Sequence, residues 1–453
     1  MNLSDLGEDF TWGVATAAYQ IEGSPDADGK GPSIWDTFTH KRNRFGRGPI
    51  KDGSTGDVAT DSYRRYPEDI ELIAALGFDA YRFSISWPRI FPDASGRVNQ
   101  AGLDHYRRVV ECCLDNGVDP WITLYHWDLP QALQDNGGWA HRDIVQRYCD
   151  YAATMGEALG DLVTNWMLFN EPLNVVITGH LIGVFAPGRK SLHDYFASLH
   201  HINLATGLGS RALRAAAPDA VIGTTQYLTP PIGQGPGPLA DLAARSADAI
   251  INRAFLEPII GLGYPWQEAG ILKGVRGYIK PGDDRDMVAD LDFLGVQYYT
   301  RLRAPFVPIP GLWTVPKFPG GGETPTTTSL GWEIDPEGLA MVLDKVHDYG
   351  IFDRIVVTEG GASFNDRVRD GRVHDPRRIA YYEAHLAEVR AAQLRGIPVD
   401  GYFAWSLLDN FEWAEGLVPR FGLTYVDYAT QQRTIKDSGY WFADQLGGTA
   451  TPA

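Results

Sequence analysis

The sequence predicts an α/β protein built on a single (β/α)8 barrel, a TIM barrel whose long loops after the strands surround a pocket. Three observations predict it. Short apolar, β-prone runs recur at about residues 12–17, 79–85, 119–125, 163–169, 220–226, 291–297, 354–358 and 400–406, each followed by a helix-like stretch. No fixed-period repeat and no Ser-, Gln- or Lys-rich linker divides the 453 residues. Helix gives way to strand abruptly, as right-handed winding of parallel strands requires. Residues 1–447 are expected to form the barrel, and residues 448–453 a short flexible tail.

In chain order, the first run, residues 12–17, is followed by a segment, 36–58, whose Lys41-Arg42-Asn43-Arg44 and Lys51-Asp52-Gly53-Ser54 read as surface loop. Pro67 is placed to start a helix: Ile70, Ile73 and Ala74 follow at helical spacing, and Gly77 stands where a helix ends. The strand Asp79-Ala80-Tyr81-Arg82-Phe83-Ser84-Ile85 comes at once, and the runs at 119–125 and 163–169 repeat the alternation. After the runs at 220–226 and 291–297, residues 301–331 carry Pro305, Pro308, Pro310, Gly320, Gly321 and Gly322, which argue against regular structure. Long ordered loops in a compact domain are usually functional. The runs at 354–358 and 400–406 complete the set.

Acidic residues number 57 against 40 basic ones, a net charge of −17, which argues against nucleic-acid or anionic-membrane partners. The acidic start, Met1 to Asp9, lacks the basic-then-apolar order of a secretory signal, and no apolar run nears a membrane span, so a soluble cytoplasmic protein is expected. Cys112, Cys113 and Cys149 are odd in number and read as reduced thiols. Thirteen tryptophans suit a packed core and equally the stacking of a sugar ring.

Two strands end in carboxylates. Thr164-Asn165-Trp166-Met167-Leu168-Phe169 runs into Asn170-Glu171-Pro172, and the proline is expected to hold Glu171 extended at the strand tip. Arg354-Ile355-Val356-Val357-Thr358 runs into Glu359-Gly360-Gly361. The two glutamates are far apart in the chain, and only closure of the sheet brings them face to face. Two opposed carboxylates are what glycosidic cleavage needs, one protonated to release the leaving oxygen and one ionised to meet the developing positive carbon. That chemistry calls for no metal or organic cofactor. Either glutamate alone would read as a cap or an ion-pair partner.

Further stretches accompany them: Thr11-Trp12-Gly13-Val14-Ala15-Thr16-Ala17-Ala18-Tyr19-Gln20-Ile21-Glu22-Gly23, Tyr81-Arg82-Phe83-Ser84-Ile85-Ser86-Trp87-Pro88-Arg89, Tyr125-His126-Trp127-Asp128-Leu129-Pro130-Gln131, and Trp405-Ser406-Leu407-Leu408-Asp409-Asn410-Phe411-Glu412-Trp413. With these, nearly the whole chain, residues 10–442, resembles the β-glucosidases of glycoside hydrolase family 1. The resemblance implies a retaining double displacement on terminal, unphosphorylated β-D-glucosides, with Glu359 as nucleophile and Glu171 as acid/base. Retention asks that the two carboxyl groups lie about 5 to 5.5 Å apart. It further implies that Arg82 keeps Glu359 charged and Tyr299 donates to it. Gln20, His126, Asn170, Glu412 and Trp413 would hold the sugar hydroxyls, Asn170 the 2-hydroxyl, with Trp405 as stacking floor. Trp332 resembles an aglycone-side tryptophan, and the 301–331 loop with Trp313 is expected to shape the rest of that subsite. A carboxylate at Glu412, where relatives acting on 6-phosphosugars have a small neutral residue, would repel phosphate.

Two positions depart from the family pattern. Gln297 precedes Tyr298-Tyr299 where Asn is usual, and is expected either to contact substrate or to be displaced. Gly360 follows the nucleophile where Asn is usual, which removes a local side-chain hydrogen bond. A small-molecule glycoside is the expected partner. The competing readings are a transglycosidase using the same carboxylates and a sugar-binding barrel without turnover.

Overall fold

The structure is a computed structural model describing residues 2–452, so Met1 and the last residue of the expected tail, Ala453, lie outside the described residues. Eight parallel strands close into a barrel in which every strand neighbours the next in sequence. They are β1 (Thr11–Ala15), β2 (Ala80–Ser84), β3 (Asp119–Tyr125), β4 (Asn165–Asn170), β5 (Val221–Tyr227), β6 (Phe293–Gln297), β7 (Ile355–Gly360) and β8 (Val399–Trp405). Closure is the pairing of β1 with β8, Thr11 opposite Gly401 through Ala15 opposite Trp405. Each of the eight runs is thus a strand, with ends shifted by a residue or two.

The barrel interior is filled from its amino-terminal end. Trp121, Phe293 and Phe403 interlock, the Trp121 ring lying 5.6 Å from Phe293 and 5.0 Å from Phe403. Arg354 lies over Trp121 and Phe293. Gly13 and Gly223 leave the room those rings take, since a Cβ at either would collide with Phe403 or Phe293. Toward the carboxyl ends the inward side chains turn polar: Arg82, Asn170, Gln297 and Glu359, all buried. A buried apolar shell between strands and helices holds this frame rigid.

Three local expectations are corrected. The helix expected to start at Pro67 spans Ser62–Ala75 and carries Pro67 inside it. Its first turn is anchored by a tertiary contact, the Tyr63 N–H donating to the Glu22 carbonyl at 3.1 Å, which offsets the missing N–H. Gly77 does end it, at φ 81°. The 36–58 segment is helical to His40, because a capping box at Ser33 and Asp36 starts the helix Ile34–His40 just upstream. Within 301–331, Leu302–Pro305 is a strand paired in parallel with Pro231–Gln234. In the tail, the Ala450 N–H donates to the Ala75 carbonyl at 2.9 Å.

Candidate active site

A cavity of about 480 Å³ opens at the carboxyl end of the barrel. Glu171 and Glu359 both line it, with His126, Asn170, Trp405, Glu412 and Trp413. Trp332, Leu330, Phe185, Phe318, Pro319, Gly320 and Gly321 also line it. Gln20, Arg82 and Gln297 are fully buried and do not line it.

Glu359, 3% exposed, sits in β7 with both oxygens occupied. Oε1 accepts from Arg82 Nη1 at 2.5 Å and Oε2 from the Tyr299 hydroxyl at 2.7 Å. Burial raises its carboxyl above the ordinary value, and the Arg82 charge and the Tyr299 hydrogen bond act against that. Glu171 follows β4 and is 5% exposed. It does not have the extended backbone that Pro172 led us to expect: its φ is 44°, in the left-handed region. That region also avoids the helical clash with the proline ring, and it costs about 1–2 kcal/mol. The surroundings impose it: the Glu171 N–H donates to the Thr225 carbonyl at 3.0 Å, and its own carbonyl accepts from the Asn174 N–H at 3.0 Å. Trp127, φ 80°, and Trp413, φ 49°, line the same cavity in the same backbone region.

Burial, and after it the charge of Glu359, pushes the Glu171 carboxyl well above the ordinary range. Asn174 Nδ2 donates to Glu171 Oε2 at 2.6 Å. Of the two carboxylates, Glu359 has the cation beside it and Glu171 is the one pushed up further. Their surroundings separate an acid from an anion within one cavity.

Arg82 ties the nucleophile side to Asn170, its Nη2 donating to Asn170 Oδ1 at 2.6 Å. Asn170 Nδ2 lies 3.0 Å from His126 Nε2. Burial, then the Arg82 charge, pushes His126 well below its usual pKa, so the imidazole is neutral; its Nδ1 is buried without a protein partner. Gln20 Nε2 donates to Asn410 Oδ1 and the Phe411 carbonyl at 2.9 Å, and reaches Glu412 Oε2 at 3.4 Å. Glu412 is pushed up to about 8 by desolvation and then by the charges of Glu359 and Glu415.

Aromatic rings wall the cavity. His126 stacks 6.1 Å from Trp405 and 5.9 Å from Trp413, and Trp332 lies 5.6 Å from Tyr299. Trp313 is not part of the wall and stacks on Phe306 instead. Gly360 has a physical reason: a Cβ there would strike the Tyr402 hydroxyl. Sequence reasoning missed Asn174, Tyr227, Phe185 and Phe421. Only Asn174 had a usable signal, lying three residues beyond Glu171.

The family model described as glycosyl hydrolase family 1 matches residues 3–447. The chain is 44% identical over 453 residues to β-glucosidase A of Thermotoga maritima, covering 98% of each chain. It is 44% identical over 448 residues to the 1,4-β-D-glucan glucohydrolase of Thermotoga neapolitana, covering 97% of each. The solved structure of a Thermotoga maritima β-glucosidase in complex with glucoimidazole matches with a TM-score of 0.90 at 43% identity, over 98% of this chain and 99% of that one. The chain belongs to glycosyl hydrolase family 1. Among the described residues, no helix is long and apolar enough to cross a membrane.

Proposed function

We propose that the protein is a retaining, exo-acting β-glucosidase that releases terminal, unphosphorylated β-D-glucosyl residues from aryl or alkyl glucosides and short oligosaccharides. The observation that carries this reading is the unequal pair in one cavity: Glu359 held by Arg82 and Tyr299, Glu171 buried without a cation of its own. Glu359 attacks the anomeric carbon while Glu171 passes its proton to the departing oxygen, leaving a glycosyl ester. Esterification removes the Glu359 charge, and with it one cause of the high Glu171 pKa. Glu171 then serves as base toward water, which cleaves the ester.

Gln20, His126, Asn170, Glu412 and Trp413 hold the sugar hydroxyls, with Trp405 as floor and Trp332 on the aglycone side. The orphaned Nδ1 of His126, a residue that lines the cavity, supports this, because buried polar atoms without partners mark where ligand groups belong; Gln20 is tied to the set through Glu412. The barrel, residues 1–447, is the catalytic unit. It acts in the cytoplasm on a small-molecule glycoside and not on nucleic acid, a placement that its three free thiols fit.

The test is a pair of variants assayed on aryl β-glucosides. Glu359→Gln is expected to lose hydrolysis by several orders of magnitude with its melting transition intact. Glu171→Ala is expected to slow substrates with poor leaving groups most, and azide is expected to restore turnover of activated ones as a β-glucosyl azide. A Glu359→Gln protein of near-normal rate overturns the assignment. Equal slowing of all leaving groups in Glu171→Ala overturns the acid role.

A further inference from the structure

Gln297 ends β6, in register with Tyr227 on one side and Glu359 on the other. It is fully buried and does not line the cavity. Its Nε2 donates to Asn170 Oδ1 at 2.8 Å, and its Oε1 is buried without a partner. An unpaired buried carbonyl oxygen is costly, so this orientation of the amide is dictated by its donor end. Arg82 dictates it: a guanidinium only donates, its Nη2 lies 2.6 Å from Asn170, and so the oxygen of Asn170 must face it. A flipped Gln297 would set oxygen against that oxygen. The two donors together turn Asn170 Nδ2 the other way, toward His126 and the cavity that Asn170 lines. Arg82 is shared, because its Nη1 also holds Glu359 and the Thr358 carbonyl. Gln297 donates to Asn170 and also acts by hydrogen bonding on Glu359, its register partner on β7, where it helps to lower that carboxyl. From the end of β6 the Gln297 side chain reaches past β5 to Asn170 at the end of β4.

We propose that Gln297 is a positioning residue that fixes the Asn170 amide so that its Nδ2 donates to the 2-hydroxyl of the bound sugar. The inference rests on the glucosidase reading above. Contacts to that hydroxyl strengthen toward the transition state, so a loosened Asn170 slows a substrate that has the hydroxyl and spares one that lacks it.

The experiment compares Gln297→Met with the wild type on an aryl β-glucoside and on its 2-deoxy analogue. The expected result is a fall in kcat/KM on the glucoside that exceeds the fall on the 2-deoxy substrate by about tenfold or more, the shared part being the loss of the contact with Glu359. Equal falls on both overturn the inference and assign Gln297 to the adjacent nucleophile or to the fold; no fall on either overturns it as well. Gln297→Leu reads the same ratio where the Met variant does not fold. A wild-type protein that cleaves neither substrate sinks the glucosidase reading, whereas one that cleaves both, with variants that leave the ratio unchanged, sinks only this inference.

Discussion

Asn174 donates a hydrogen bond to Glu171, and that bond favours the carboxylate over the acid. Burial and the neighbouring Glu359 charge work the other way and win. Asn174→Leu removes the one contribution that lowers the Glu171 pKa by hydrogen bonding, so the proton is held to higher pH. Because the first step of the proposed reaction needs Glu171 protonated, the alkaline limb of the kcat/KM profile is expected to move to higher pH. The acid limb, set by Glu359, stays where it is. A pH profile on an aryl glucoside reads both limbs, and an unmoved alkaline limb would show that Asn174 does not govern that proton. At this scale Glu171 and Glu359 were legible in the sequence because a strand that ends in a carboxylate and then Pro or Gly is a local pattern. The left-handed backbone of Glu171 was not legible, since it is imposed by the Thr225 carbonyl on the adjacent strand.

The turn that carries Glu412 and Trp413 is held from outside by the loop between β1 and β2. Asp52 Oδ2 accepts from the Leu417 N–H at 2.8 Å, the Lys51 N–H donates to the Ala414 carbonyl at 2.9 Å, and Lys51 Nζ pairs with Glu415 at 2.6 Å. Gly416 makes the close approach feasible: its φ is 74°, and a Cβ there would collide with the Asp52 carboxylate. The Glu412 N–H donates to the Gly416 carbonyl at 2.7 Å, so a shift at Gly416 reaches the carboxylate that lines the cavity. Gly416→Ala is expected to raise KM for glucosides about tenfold or more, with a smaller change in melting temperature. Steady-state kinetics beside a thermal melt separates the two effects. Element types and the loop character of most of 41–58 were legible from turn residues and periodicity. Which loop clasps which, and that Trp313 faces Phe306 instead of the cavity, was not legible, because those contacts join distant parts of the chain.

Across the whole molecule, closure of the barrel gathers Glu171, Glu359 and Glu412 around one cavity, with the buried Arg82 guanidinium paired to Glu359 behind it. The eightfold alternation made that closure legible in advance; the electrostatic cost of it was not, because it depends on solvent exclusion by the assembled walls. The cost has a pH signature. Glu412 is held at about 8 in the fold, against roughly 4.3 in an unfolded chain. Between those values the folded state binds a proton that the unfolded state has lost, so this group's contribution to stability declines as pH rises from about 4 to about 8. Glu412→Gln carries no titrating group there and escapes the decline. It is expected to match the wild type in melting temperature near pH 4 and to exceed it at pH 9. Its activity on glucosides is expected to fall at both pH values, since the carboxylate proposed to hold the sugar is gone. Thermal melts at the two pH values decide it: a gain of equal size at both would assign the effect to packing and not to the buried charge.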